Sequence, residues 1–320
     1  MRLASSSTLA NWAIVVFASR ESLDLLSRTV KAAQISAQDK AGIDVIVNGN
    51  TPLAVALANQ LRSQELTSAV APVRVWAVTV GDKANAWSQY IQHIWSGEEI
   101  AFFIDGYVRL NPDAVKLLGD EVAARSNVLG GTGVPSMGRS AKAMRAHMSP
   151  GSGFHGNFCC IKGEAIEQLR QRRIALPFGL YRVDALMGAL LMLALDPAGD
   201  VWATSRIFVH PDASWQTDPK HWWRVDDIRA QIKRVFRQSR GILENLAIRD
   251  HLNVRKQPPE SLPATASELV LDWVRRCPEE SNAALKRNPL ARRALVEITR
   301  SRVNTTHNSP PLLIGSSRAS

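Results

Sequence analysis

Three cysteines in 320 residues, Cys159, Cys160 and Cys277, are too few and wrongly spaced for a disulfide framework or a zinc site, so they read as buried thiols. Long hydrophobic runs are also missing. The longest, Ala185 to Leu195, falls far short of the ~20 residues needed to cross a bilayer, and the N-terminus lacks the charge, apolar core and cleavage site of a signal peptide. The expected location is cytoplasmic. No Gly-x-Gly-x-x-Gly follows a predicted strand, which argues against a dinucleotide-dependent oxidoreductase. The first strand leads only into Ala18-Ser19-Arg20, and the lack of a Gly-rich phosphate loop there weighs against a nucleotidyltransferase. There is no internal repeat.

Acidic residues are scarce in one region alone. Residues 1–219 hold 20 Lys and Arg against 19 Asp and Glu, whereas residues 220–320 hold 19 against 10, so nearly all of the net charge of +10 belongs to the C-terminal third. Such asymmetry suits either an anionic partner, a membrane surface or polyanion, or simply a set of solvated basic helices. Nucleic acid fits less well, because Trp222 and Trp223 are adjacent rather than interleaved with the basic residues.

What the chain does contain is an alternation of strands and helices. Apolar runs at Trp12–Phe17, Ile43–Val47, Val73–Val80 and Ala101–Leu110 read as strands, the last broken at Asp105-Gly106. Between them, Leu23, Leu26, Val30 and Ala33 fall at helical spacing. Thr51-Pro52 supplies an N-cap and first-turn proline, and Trp87, Tyr90, Ile91, Ile94 and Trp95 share one helical face. This rhythm predicts an α/β fold with a mainly parallel sheet flanked by helices and a ligand edge at the strand C-termini. Gly130–Gly156 reads as a long irregular insert carrying Arg139, Lys142 and Arg145. Phe158–Ile161 is a strand, Gly163–Arg173 and Val183–Leu195 are helices, and Val201–Val209 is a strand ending at His210. Beyond it come a basic amphipathic helix with Arg229, Lys233, Arg234, Arg237 and Arg240, a Pro258-Pro259 linker, and a capping box of Thr265 and Glu268 ahead of a helix. Short helices over about 279–287 and 290–302 complete the appendage. The expected division is a transferase domain at 1–220, a basic helical appendage at 221–302 and a disordered tail at 303–320.

Gly81-Asp82-Lys83-Ala84-Asn85-Ala86-Trp87, Phe103-Ile104-Asp105-Gly106-Tyr107, Val183-Asp184 and His210 occur in an order that resembles the family-2 inverting glycosyltransferases of the GT-A fold, over about Trp12 to His210. The resemblance implies transfer of a sugar from a nucleoside-diphosphate sugar to the hydroxyl of a glycan, lipid-linked or other acceptor. It places Asp184 as the catalytic base and Arg20, Asn48, Gly81, Lys83, Asn85 and Asp105 on the donor and diphosphate side. Asp105 and His210 would hold Mg²⁺ or Mn²⁺. The chain departs from the family pattern in having Asn48-Gly49-Asn50 where acidic residues are common, one carboxylate in Asp105-Gly106-Tyr107 where two are usual, and Val183 in place of a Glu. These departures keep open the alternative of a catalytically degraded binding protein with a basic interaction region.

Overall fold

The structure is a computed structural model that describes residues 11–63, 71–137, 141–148, 153–218, 225–300 and 309–317, the side chains of His147 and 225–233 excepted. Strand β1 (Trp12–Ala18), helix α1 (Leu23–Ala37), β2 (Ala41–Asn48), α2 (Thr51–Ser63), β3 (Val73–Val78), α3 (Lys83–Gln89, prolonged by a π turn to Ile94) and β4 (Ile100–Asp105) realise the expected alternation. They are followed by β5 (Val108–Leu110), α4 (Ala114–Ala124), β6 (Gly130–Pro135), α5 (Ala141–Met148), β7 (Phe158–Lys162), α6 (Gly163–Gln171), α7 (Val183–Met192) and β8 (Ile207–Thr217). The C-terminal part comprises α8 (Val225–Ile248), α9 (Ala266–Arg276), α10 (Pro278–Arg287), α11 (Pro289–Arg300) and β9 (Leu312–Ser316).

The strands form one sheet in the order β5-β8-β6-β7-β4-β1-β2-β3-β9. Strands β4, β1, β2 and β3 are mutually parallel, so their C-terminal ends share one edge. Phe17 lies opposite Asp105, and Asn48 opposite Val78. Successive residues of β1 enter opposite cores. Ile14 and Val16 join the face covered by α1, α2 and α4, and Val15 and Phe17 join the face covered by α3, α6 and α7. That second face also contains Leu243, Ala247, Leu269, Trp273 and Ile298, so the apolar core runs without a break from the sheet into the C-terminal helices.

Several expectations change. The sheet is parallel through β4, β1, β2 and β3, as expected, and mixed beyond them, where β7, β5 and β9 pair antiparallel with β4, β8 and β3. The region from Gly130 is not irregular throughout. Gly130-Gly131-Thr132-Gly133-Val134-Pro135 is a fully buried strand between β7 and β8. Glycine is there for close packing. A Cβ on Gly131 would sit 2.8 Å from Val122 Cγ2, and one on Gly133 would sit 2.4 Å from both Ala213 O and Phe158 Cδ1. The late strand begins at Ile207 and runs through His210 instead of ending there. The tail is ordered over Leu312–Ser316, where β9 covers the edge of β3 that would otherwise present unpaired backbone groups. The cap of α2 lies one residue earlier than expected, with Asn50 Oδ1 accepting from Leu53 N at 3.2 Å. The capping box at Thr265 and Glu268 forms as read from the sequence.

Two glycine substitutions test the packing argument. Gly133→Ala is expected to destabilise the fold by about 1–3 kcal/mol through overpacking. Gly42→Ala, whose Cβ meets nothing within 4 Å, should be neutral or stabilise by about 0.4–1 kcal/mol. Urea midpoints of the two variants read the difference directly, and equal midpoints would refute the steric account of β6.

Candidate active site

The parallel strands deliver Asp105 to the common edge, and the backbone beyond it is pinned tightly. Gly106 N donates to Phe17 O at 2.7 Å, and Thr29 Oγ1 donates to Gly106 O at 2.9 Å. A Cβ on Gly106 would lie 3.0 Å from both Ala18 Cβ and Phe17 O, so a residue without a side chain lets the chain cross the end of β1. Asp105 thereby sits with its side chain 13% exposed. Its Oδ1 accepts from the Lys83 ammonium, and its Oδ2 from the Tyr107 hydroxyl at 2.8 Å. The same hydroxyl lies 3.4 Å from Asn157 Oδ1.

Lys83 opens α3, whose start is fixed by Asp82. One Asp82 carboxylate oxygen accepts from Asn85 N at 2.7 Å, and the other accepts from Gly179 N at 2.7 Å. Burial raises the Asp82 pKa, opposed by those amide donors and by Arg240. Burial alone would lower the Lys83 pKa, but the Asp105 carboxylate and, more weakly, Asp184 hold it above the ordinary lysine range. Tyr107 is pushed well above the usual phenol range by burial and by Asp105.

Asp184 stands in the first turn of α7, where the helix dipole favours an anion, and its Oδ1 accepts from Ala185 N at 3.0 Å. It is half-buried, and Gly156 packs so closely that a Cβ there would lie 3.2 Å from Asp184 Cβ. His155 belongs to the same charge cluster. Burial lowers its pKa, the carboxylates of Asp184 and Asp105 oppose that, and Lys83 and Arg182 add to it. Lys83, Asp105, Asp184 and His155 therefore act on one another at a single edge of the sheet.

The other sequence-derived candidates have different employment. Asn48 is buried, and its Nδ2 donates to Ala18 O at 2.9 Å, stitching the end of β2 to the end of β1. Gly81 packs against Gly49, where a Cβ on Gly49 would fall 2.4 Å from Gly81 Cα. Asn85 is 1% exposed, and neither of its side-chain polar atoms has a partner among the described residues. The Arg20 side chain is exposed, while its amide and that of Ser19 donate to Glu21 Oε2. In the insert, Arg139 lies outside the described residues, Lys142 is exposed, and Arg145 donates to Pro211 O at 2.5 Å.

His210 is not joined to Asp105 by any hydrogen bond described. Strands β7 and β6 stand between β4 and β8, and His210 Nδ1 accepts from the amides of Asp212 and Ala213 at 3.1 and 3.0 Å. Among the described residues no group of three or more His, Cys, Asp and Glu side chains gathers to ligate a metal. The donor set at Asp105 therefore does not fit a resident Mg²⁺ or Mn²⁺. Both carboxylate oxygens are engaged, one of them by a cation.

Sequence reasoning missed Glu244. It lies in α8, is fully buried, and accepts from Tyr181 N at 3.0 Å and Arg182 N at 2.9 Å, the two amides just before α7. Arg240 Nε donates to it at 2.8 Å, and Arg240 Nη2 donates to Gly179 O at 2.6 Å. Burial raises the Glu244 pKa against the pull of Arg240 and the two amides. The available signal was a carboxylate among the apolar positions Leu243 and Ala247, four residues after an arginine. Segment 179–182 is thus gripped by Asp82 from the loop ahead of α3 and by Glu244 and Arg240 from the C-terminal helices.

No protein-family model matches the sequence, and no curated protein matches it by sequence. By structure, the chain is similar to the mannosyltransferase PcManGT from Pyrobaculum calidifontis, solved with GDP-mannose and Mn²⁺. The TM-score is 0.58 at 17% identity, covering 93% of this chain and 77% of that one. The chain shares its overall fold with that mannosyltransferase. No helix among the described residues is long and apolar enough to cross a membrane.

Removing Glu244 should loosen the start of α7. Glu244→Ala is expected to cost about 3–5 kcal/mol in urea unfolding, because it leaves the Arg240 charge and two amides without their acceptor. Glu244→Gln, which keeps one acceptor oxygen, should cost less. Amide exchange at Tyr181 and Arg182 should accelerate in both variants, and unchanged protection would refute the clamp.

Proposed function

We propose that the protein is a nucleoside-diphosphate-sugar-dependent glycosyltransferase that works by inverting displacement, with Asp184 as the general base. The observation that carries this reading is the placement of Asp184 at the start of α7, within the same charge cluster as Lys83 and Asp105 at the strand C-termini, in a glycosyltransferase fold. Open α/β sheets bind ligands at this edge. The GDP-mannose in the similar mannosyltransferase supports a sugar nucleotide as donor and makes GDP-mannose the first compound to try.

In the proposed reaction an acceptor hydroxyl attacks the anomeric carbon from the face opposite the diphosphate. The new C–O bond forms as the bond to the diphosphate oxygen breaks, and the bonding pair leaves with the nucleoside diphosphate. Asp184 takes the hydroxyl proton as attack proceeds. Its carboxylate is suited to this because the α7 terminus fixes it, Ala185 N donating to Oδ1, and because Gly156 packs against it without a side chain. The division of labour follows the chain order: residues up to about 220 carry the donor and base positions, and the C-terminal helices brace them.

The test is release of nucleoside diphosphate from a panel of sugar nucleotides, GDP-mannose included, with NMR of the product anomer. Asp184→Asn is expected to cut turnover by about 10²–10⁴ while donor-induced thermal stabilisation persists. Unchanged turnover would remove Asp184 from the base role, and a product with retained anomeric configuration would refute the inverting mechanism.

A further inference from the structure

A divalent ion at the end of β4 would have to compete for Asp105 with a cation already in place. Both oxygens of that carboxylate are engaged, Oδ1 by the Lys83 ammonium and Oδ2 by the Tyr107 hydroxyl. A metal bound at Oδ1 would share one carboxylate with the ammonium, and the two positive charges would repel at close range in a poorly hydrated site. Mg²⁺ and Mn²⁺ favour oxygen-rich sets, yet no cluster of three acidic or imidazole ligands exists among the described residues. His210 is turned to its own strand, with Nδ1 on two backbone amides.

The lysine, by contrast, is built in. It is the first residue of α3, the Asp82 cap fixes the helix start, and Ala84, Ala86 and Trp87 behind it are buried. Its side chain retains 35% exposure, enough to offer N–H donors outward while one is held by Asp105. An ammonium has three donors, so pairing with one carboxylate leaves capacity for a phosphate.

We propose that the Lys83 ammonium, oriented by Asp105 and Tyr107, is the fixed cation that receives the departing diphosphate, and that sugar transfer by this protein is independent of divalent metal. The inference rests on the donor class given under Proposed function. The bond from the anomeric carbon to the diphosphate oxygen breaks with its electron pair on that oxygen, and Lys83 stabilises the added charge by hydrogen bonding without giving up a proton. The acceptor proton goes to Asp184, so the step needs no further reactant. Asp105 is then a positioning residue rather than a metal ligand. The lone carboxylate of Asp105-Gly106-Tyr107 follows from this: a second acid would offset the positive potential that the lysine offers to a diphosphate.

Calorimetric titration of the full chain with GDP and with UDP, in EDTA and then in Mn²⁺, tests the proposal. The expected result is that the preferred nucleoside diphosphate binds in EDTA and that Mn²⁺ changes its Kd by less than about twofold. Lys83→Gln should weaken binding by about 10–100-fold, the loss of a charge-assisted contact. Lys83→Arg, which keeps the charge, should retain more of it, with thermal melts confirming that both variants fold. Binding that vanishes in EDTA and returns with Mn²⁺ would overturn the role of Lys83 and leave the donor class standing. Failure of both nucleotides to bind with or without Mn²⁺ would instead overturn the donor class, and the inference with it.

Discussion

The site depends on a stack of three rings beneath it. Phe103 of β4 lies 4.0 Å from Trp87 of α3 and 6.1 Å from Phe17 of β1, centroid to centroid, with interplanar angles of 19° and 4°. Tyr90 meets Phe103 edge-on at 5.6 Å. Each ring is almost fully buried, and offset or edge-on aromatic pairs are worth roughly 0.5–1.5 kcal/mol beyond the area they bury. The stack fixes the height and rotation of α3 above two adjacent parallel strands. Lys83, one turn before Trp87, and Asp105, two residues after Phe103, therefore meet at the sheet edge. A small rotation of α3 would separate the ammonium from the carboxylate, so the chemistry of the edge is set by apolar packing one layer below.

This division explains how much of the protein could be read from its sequence. Strands buried on both faces and helices with one apolar stripe announce themselves by period, and β1, α1, β2, α2, β3 and β4 follow the pattern of the chain closely. Asp105, Lys83 and Asp184 were legible because each sits beside such an element, at a strand end or in the first turn of a helix. Strand β6 was not legible. Its glycines carry no side-chain period, and their purpose, close approach of Val122, Leu118, Phe158 and Ala213, exists only once the sheet is assembled. His210 shows a related limit of reading by pattern. A histidine after an apolar run resembles a strand-end ligand, but here the strand continues past Pro211, and the ring serves the irregularity in its own backbone. Glu244 was hidden because its partners lie some 60 residues earlier in the chain.

Several basic residues of the C-terminal third are engaged within the fold. Arg255 and Arg276 both reach the buried Asp250 and the nearby Asp272, Arg249 pairs with Glu280, and Arg240 pairs with Glu244. Arg237 and Arg293 lie over the rings of Tyr181 and Phe236. Exposed pairs of this kind contribute little to stability, but those at Asp250 and Glu244 involve carboxylates removed from water and hold specific geometry. The acidic partners all belong to the same third and are already counted in its net charge, so its excess of positive charge remains, with Arg234 among the exposed residues.

Glu244 gives that internal use a functional direction. A buried carboxylate is costly unless its lone pairs are filled, and here they are filled by two amides at the approach to α7 and by Arg240. The same segment is held from the opposite side by Asp82, whose other oxygen caps the helix that bears Lys83. Segment 179–182 is thus a bridge whose two supports belong to the loop ahead of α3 and to the C-terminal helices. Any movement of α8 must either break the Glu244 contacts or carry the start of α7, and Asp184 with it. The C-terminal helices are on this argument a brace for the start of α7 and the proposed base Asp184, which accounts for a core that continues into them without a boundary.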